Sequence, residues 1–192
     1  MNYPAAKAFI CYLLKTALDG RFSYHGLHHT LDVLQATTDL CHAEQVAPYE
    51  TLLLQTAALF HDAGFIRDPM DHEGSSCELV REHLPRYDYT PREIEQICDL
   101  ILATKIPQQP KSHLEQIICD ADLDYLGRED FFAIAETLYI ELHCFQRISN
   151  EKQWDLIQVQ FLSEHQYFTE TNRRRREKGR EKHLEVLKKK LQ

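Results

Sequence analysis

Glycine is scarce in this sequence, with six residues in 192, and they are too widely scattered to form the Gly-rich loop that cradles a nucleotide phosphate. No apolar run approaches the ~18 residues that a bilayer span needs. The apolar start of the chain is broken by Lys7 and Lys15 and has no small-residue cleavage site, so no secretion signal is expected. The six cysteines never form a C-x-x-C pair, which argues against a zinc knot or disulfide framework and for reduced thiols in a cytoplasmic protein. Alternation of apolar and polar residues is missing too, as are clusters of β-branched residues, and this excludes a sheet-based fold. Repeats and low-complexity linkers are absent.

What is present is helical periodicity and an uneven distribution of charge. At 192 residues one core suffices, so the expected architecture is all-α, a single-domain helical bundle over 1–168 with a C-terminal basic helix over 169–192. The net charge of -8 hides an asymmetry: residues 171–192 hold ten Lys and Arg against three Glu, leaving twelve basic and twenty-seven acidic side chains in residues 1–170. A body with net charge -15 repels polyanions, so a phosphorylated substrate requires a local cation to receive it.

The apolar pattern predicts helices near 3–18, 27–43, 48–62, 73–84, 91–104, 113–119, 129–147, 150–165 and 169–190. "TPRE" reads as a capping box, with Thr90 as N-cap, Pro91 at the first helical position and Glu93 at the third. "SHLE" repeats it with Ser112 and Glu115, Pro48 suits a helix start, and Gly64 suits the end of the helix holding "LLLQTAALFHDAG".

Three apolar segments end in ligand-type side chains. "YHGLHHTLDV" supplies His25 and His29, four apart and therefore on one face if the helix already runs through both, with His28 pointing elsewhere. "AALFHDAGF" closes an apolar helix with His61 and Asp62, a charged pair that is expensive to place there unless something binds it. "IICDADLDYLG" ends another with Asp120, Asp122 and Asp124. Helical bundles build metal sites in this way. Imidazole and carboxylate without thiolate suit manganese, iron, zinc, cobalt or nickel, with magnesium also open, and the histidines argue against calcium.

His, then His-Asp, then a late Asp in an all-α chain resembles the HD superfamily of metal-dependent phosphohydrolases over about residues 20–145. "YHGLHHTLDV" is similar to the "YHNxxHxxDV" stretch of the helical cyclic-nucleotide phosphodiesterases. That resemblance implies His29 as a metal ligand, His25 as the proton donor, His61 and Asp62 as ligands with Asp62 able to bridge two metals, and Asp122 as the late Asp. The chain lacks the phosphodiesterases' Asp-His-Pro-Gly stretch and C-terminal purine clamp, the Gly-Tyr-Pro of cyclic-dinucleotide hydrolases and the Glu-Asp pair of alarmone hydrolases. It looks more like small stand-alone HD proteins that carry "HE" before small residues, as in "DHEGSSCELV", and "AT" before the late Asp, as in "LILATK". There His72 is a candidate ligand for a second metal, and Glu73 a weaker one.

The resemblance implies hydrolysis of a phosphomonoester or phosphodiester, of a small nucleotide-like metabolite, by a water activated on one or two divalent ions, with His25 protonating the leaving oxygen. Arg21, Thr104 and Lys105 are candidate phosphate contacts. Two rival readings are a nucleotide-sensing module without turnover and a di-iron oxygenase, which would need six protein ligands and so both His72 and His113. Within the tail, Glu177, Glu181 and Glu185 are interleaved among the cations and Leu184, Leu187 and Leu191 form a narrow stripe. The expectation is docking onto the body or a homodimer contact. The cations have no aromatic residue among them to stack on bases, and the tail is short of large apolar membrane anchors, which argues against both nucleic acid and membrane as partners.

Overall fold

The computed structural model describes all 192 residues and is all-α. The helices are α1 (Tyr3–Ala17), α2 (Leu27–Ala43), α3 (Pro48–Phe60), α4 (His72–His83), α5 (Pro91–Ala103), α6 (His113–Asp122), α7 (Phe131–Cys144), α8 (Glu151–Glu164) and α9 (Glu170–Lys190). Short 3-10 turns follow α3 at Ala63–Ile66, α4 at Leu84–Tyr87 and α6 at Asp124–Gly127. Two compact units emerge, one comprising Met1–Asp19 with His25–Asp122 and the other Gly20–Tyr24 with Leu123–Gln192.

The first unit holds α1 to α6. Each of its helices starts where its sequence provides for one. Asn2 accepts from the Ala5 amide at 3.3 Å to cap α1, and Pro48 occupies the first position of α3, where no amide partner is lost. The Thr90 box is complete: the Glu93 amide donates to the Thr90 hydroxyl at 3.4 Å and the Thr90 amide donates to the Glu93 carboxylate at 2.7 Å, an arrangement worth about 1 kcal/mol. Along α5 the buried face is Ile94, Ile97, Cys98 and Ile101, spacings of three and four that face the apolar α3 residues Leu53, Leu54, Ala57 and Phe60 across one core. A fully buried Ile or Leu in this layer stabilises by roughly 1.5–3 kcal/mol, and it is this packing that fixes the ends of α2, α3 and α6.

The second unit packs α7, α8 and α9 around Tyr24, Tyr125, Phe131, Trp154, Leu162 and Leu187. The tail helix is an integral layer of it. Its Leu187 and His183 are buried, the latter with Nδ1 3.0 Å from the Leu126 carbonyl. Arg176 donates to Asp124 at 2.8 Å, Arg180 donates to the Leu162 carbonyl, and Lys190 pairs with the buried Asp155 at 2.8 Å. Gly127 and Gly179 let the turn and α9 touch backbone to backbone: a Cβ on Gly179 would lie 2.0 Å from the Gly127 carbonyl oxygen. No helix of the chain is long and apolar enough to cross a membrane. All six cysteines are free.

Two local expectations are corrected. The helix bearing "HDAG" stops at Phe60, and Gly64 takes no left-handed conformation, lying instead inside the 3-10 turn. Its lack of a side chain serves close packing: a Cβ there would sit 1.9 Å from the His72 carbonyl oxygen and 2.7 Å from the Ser76 amide nitrogen. α2 begins only at Leu27 after an extended Gly26, so His25 precedes the helix rather than sharing a face of it with His29.

Candidate metal centre

Four side chains from the first unit converge. His29 is the third residue of α2, His61 and Asp62 follow the last turn of α3, and Asp122 is the last residue of α6. One ligand atom each from His29, His61 and Asp122 lie within 4.8 Å of one another, a grouping that can hold a metal ion. His29 Nε2 lies 3.4 Å from both Asp62 Oδ2 and Asp122 Oδ1, and His61 Nε2 lies 3.1 Å and 3.4 Å from the same two oxygens. Ligand bonds of about 2.1 Å require neighbouring donors about 3.0 Å apart in an octahedral shell and about 3.4 Å apart in a tetrahedral one. The four observed spacings match that requirement.

The orientation of His61 adds a separate argument. Its Nδ1 sits 2.9 Å from the Ala58 carbonyl oxygen, which places a proton on Nδ1 and turns Nε2 toward the carboxylates, where it can serve as a ligand once deprotonated. That Nε2 is buried and makes no hydrogen bond. A buried imidazole nitrogen without a hydrogen bond, ringed by acceptors, has the surroundings of a ligand rather than of a packing residue.

Charge reinforces the picture. Burial opposes ionisation of every group here, yet the carboxylates of Asp62 and Asp122 overcome it at His61 and hold its pKa well above the ordinary imidazole range. Burial likewise raises the Asp62 carboxyl, and the imidazoles of His61, His25 and His29 more than reverse this, holding it well below the usual carboxylate range. Against its own burial, Asp122 is brought down to about 2 by the imidazoles of His29 and His61 beside it. Both carboxylates are therefore ionised at neutral pH and open to a cation.

The surroundings include a second group of donors. The other oxygen of Asp62, Oδ1, lies 3.6 Å from His72 Nε2, which is 3.4 Å from Glu73 Oε1, so the two oxygens of Asp62 face in different directions. Burial lowers the pKa of His72, partly offset by Asp62 and Glu73. Lys105 donates to Asp71 at 2.9 Å and lies 3.9 Å from Glu73. Ser76 fastens the turn from behind: its hydroxyl accepts from the Gly64 amide at 2.8 Å and donates to the His61 carbonyl at 2.7 Å. The sequence alone did not point to Ser76 or Phe65, and Glu73, the weaker of the two second-metal candidates, is buried. The signals available were slight: a small residue four positions after His72, and an aromatic three positions after Asp62.

The remaining predicted residues fall as follows. The His25 and His29 ring centroids are 6.2 Å apart. Thr104 is buried with its hydroxyl donating to the Ile101 carbonyl at 2.8 Å. Arg21 belongs to the second unit, where its guanidinium lies 4.9 Å over the Phe145 ring. Asp124 is occupied by Arg176, Arg128 and Asn172. His113 does not join the cluster. It sits 3.4 Å from Glu44, nine residues before Asp122 and hence about 13 Å along the same helix at 1.5 Å per residue, so the six-ligand set of a di-iron oxygenase is not assembled through it.

The HD domain profile matches residues 26–124, which contain all four convergent side chains. An uncharacterized protein of Clostridium beijerinckii is 31% identical over 107 residues, 54% of this chain and 66% of the relative, so the chain spans just under two thirds of that protein. No solved structure matches the chain significantly. With the matched segment covering more than half of its length and the ligand-type residues gathered within it, the chain belongs to the HD domain family.

Proposed function

We propose that the chain is a metal-dependent phosphohydrolase that cleaves a phosphomonoester or phosphodiester of a small, nucleotide-like metabolite. The observation that carries this reading is the buried Nε2 of His61, which makes no hydrogen bond and faces two ionised carboxylates and a second imidazole at ligand spacings. His29, His61, Asp62 and Asp122 would hold one divalent ion of the manganese, iron, zinc, cobalt, nickel or magnesium group. His72 and Glu73, with Asp62, would hold a second. A divalent ion at this place supplies a water of lowered pKa and a Lewis acid for a phosphoryl oxygen.

The chain's own residues do the rest. Burial of His61 beneath the cluster excludes bulk water from that side. Ala58 and Ser76 fix the His61 ring and its backbone, so no reorganisation is needed as charge develops. His25 stands beside the ligand set rather than within it and gives its proton to the leaving oxygen as the bond from phosphorus to that oxygen breaks. Lys105 is the phosphate contact closest to hand, because a phosphate oxygen can replace Asp71 as the partner of its ammonium. Thr104, buried and bonded to the Ile101 carbonyl, and Arg21, which belongs to the second unit, are left out of the proposed contacts. The substrate is small rather than a nucleic acid or a membrane lipid, the working compartment is the cytoplasm, and a homodimer contact stays compatible with the reading. A nucleotide sensor would need the same ligands but no proton donor.

Phosphate release from a panel of esters, with and without added metal, tests the reading directly. With His25→Ala the metal is retained, and turnover of an alkyl ester falls by about 10² to 10⁴-fold, the range for a general acid. The p-nitrophenyl ester, whose leaving group needs little protonation, falls far less. Equal losses for both esters would remove His25 from the proton-donor role, and absence of metal-dependent release across the panel would favour the sensor.

A further inference from the structure

Phe65 lies in the 3-10 turn directly after the His61–Asp62 pair, and its ring meets two imidazoles at once. The His25 ring stacks on it with centroids 4.2 Å apart and planes 25° apart, and the His72 ring does the same at 4.2 Å and 19°. The two imidazoles are themselves 6.3 Å apart. Their centroids therefore subtend roughly a right angle at the Phe65 ring, so both stacks are offset, and both imidazoles remain beside Asp62.

We propose that Phe65 is a positioning residue for the reaction, a fixed aromatic surface that sets where the His25 and His72 rings lie relative to Asp62. The inference rests on the phosphohydrolase reading above for the role of His25. The need for such a surface follows from the backbone. His25 precedes α2, and the next residue, Gly26, is extended, so no helical turn fixes its side chain. His72 is the first residue of α4, where the preceding turn that would restrict its rotamers does not exist.

Phe65, by contrast, is held firmly. Its amide donates to the Asp62 carbonyl at 3.1 Å. One residue before it, Gly64 is packed against the His72 backbone and bonded to Ser76. Stacking against a rigid ring adds a fixed face to the contacts that the two imidazoles already make, and orientation of a proton donor is a direct contribution to rate.

The test uses the full chain with Phe65→Leu, which keeps apolar bulk but not a flat face, and Phe65→Tyr, which keeps the face. Two readouts are needed. The first is the NMR spectrum of the histidine rings, recorded metal-free and with zinc, with the His25 and His72 signals assigned by loss in His25→Ala and His72→Ala. Phe65→Leu should shift both signals by removing the ring current of Phe65, whereas Phe65→Tyr should leave them near their original places. The second is leaving-group dependence. Phe65→Leu should lower turnover of an alkyl ester about tenfold more than turnover of a p-nitrophenyl ester, and Phe65→Tyr should restore the wild-type ratio.

Unmoved histidine signals in Phe65→Leu would overturn the proposal. So would equal losses on both esters accompanied by a lower Tm, since that is the signature of a merely structural residue. If His25→Ala itself shows no leaving-group dependence, the acid role of His25 fails, and Phe65 then places the two rings only if their signals also broaden in Phe65→Leu; signals that shift but stay sharp report the lost ring current alone and overturn the proposal.

Discussion

Alanine at His61, His29, Asp62 or Asp122 yields a chain that no longer retains a divalent ion after gel filtration and has lost metal-dependent phosphate release. The four His-to-Asp spacings fit neighbouring donors of one shell, and removing any one donor leaves three. Replacement of residues that merely support ligands commonly costs 10- to 100-fold in metal affinity, so loss of a direct ligand should exceed that. Thermal melting gives a readout independent of turnover. An ion at 100 times its Kd stabilises the wild-type chain by about 2.7 kcal/mol, and the four variants should lose most of that metal-induced rise in Tm. Asp120→Ala is the counter-test. If it lost the metal while Asp122→Ala kept it, the late carboxylate would have been assigned to the wrong residue.

The second large effect is expected from one methyl group. Gly64→Ala places a Cβ 1.9 Å from the His72 carbonyl oxygen and 2.7 Å from the Ser76 amide nitrogen. Both obstacles are backbone atoms at the start of α4 and cannot rotate away. Something must shift, and the hydrogen bonds by which the Ser76 hydroxyl bridges the Gly64 amide and the His61 carbonyl break first. Overpacking of this kind costs about 3 kcal/mol when backbone has to move, or a fall in Tm on the order of 6 to 12 °C. Activity should fall as well, because His61, His72 and Phe65 all hang on that junction. The sign is informative. Were Gly64 simply a flexible residue, alanine would stabilise the chain by reducing the freedom of its unfolded state.

These two predictions also show which parts of the architecture were legible in the sequence. The four convergent side chains were, because each lies at one end of an apolar helical segment, His29 at the start of α2 and the others at the ends of α3 and α6. The helices were legible for the same reason, and the complete Thr90 box shows how far local capping chemistry carries. What escaped depends on contacts between segments distant in sequence. Gly64 looked like a helix terminator because glycine commonly ends helices. Its actual constraint is the closeness of α4, a segment whose approach no local pattern records. His25 seemed to share a helix face with His29 because periodicity cannot tell a residue inside a first turn from one just outside it. Phe65 and Ser76 carried no chemical signal at all, being a common aromatic and a small hydroxyl whose roles exist only once the 3-10 turn meets α4. Lys105 was legible as a cation but not as one already bonded to Asp71.

The most direct test of the central claim is equilibrium dialysis of the metal-stripped chain against manganese or zinc at two pH values. The sign of the pH effect follows from the ligands. His61 has its pKa raised by Asp62 and Asp122, so without metal it carries a proton at neutral pH, and that proton must leave before Nε2 can bind an ion. Affinity should therefore rise with pH below that pKa, by about tenfold per unit for each proton displaced. The account predicts at least one tightly held ion per chain near pH 7.5, weaker retention near pH 6, and no tight binding in His61→Ala at either pH. A wild-type chain that holds no divalent ion, or one whose retention is unaffected by His61→Ala, would contradict it.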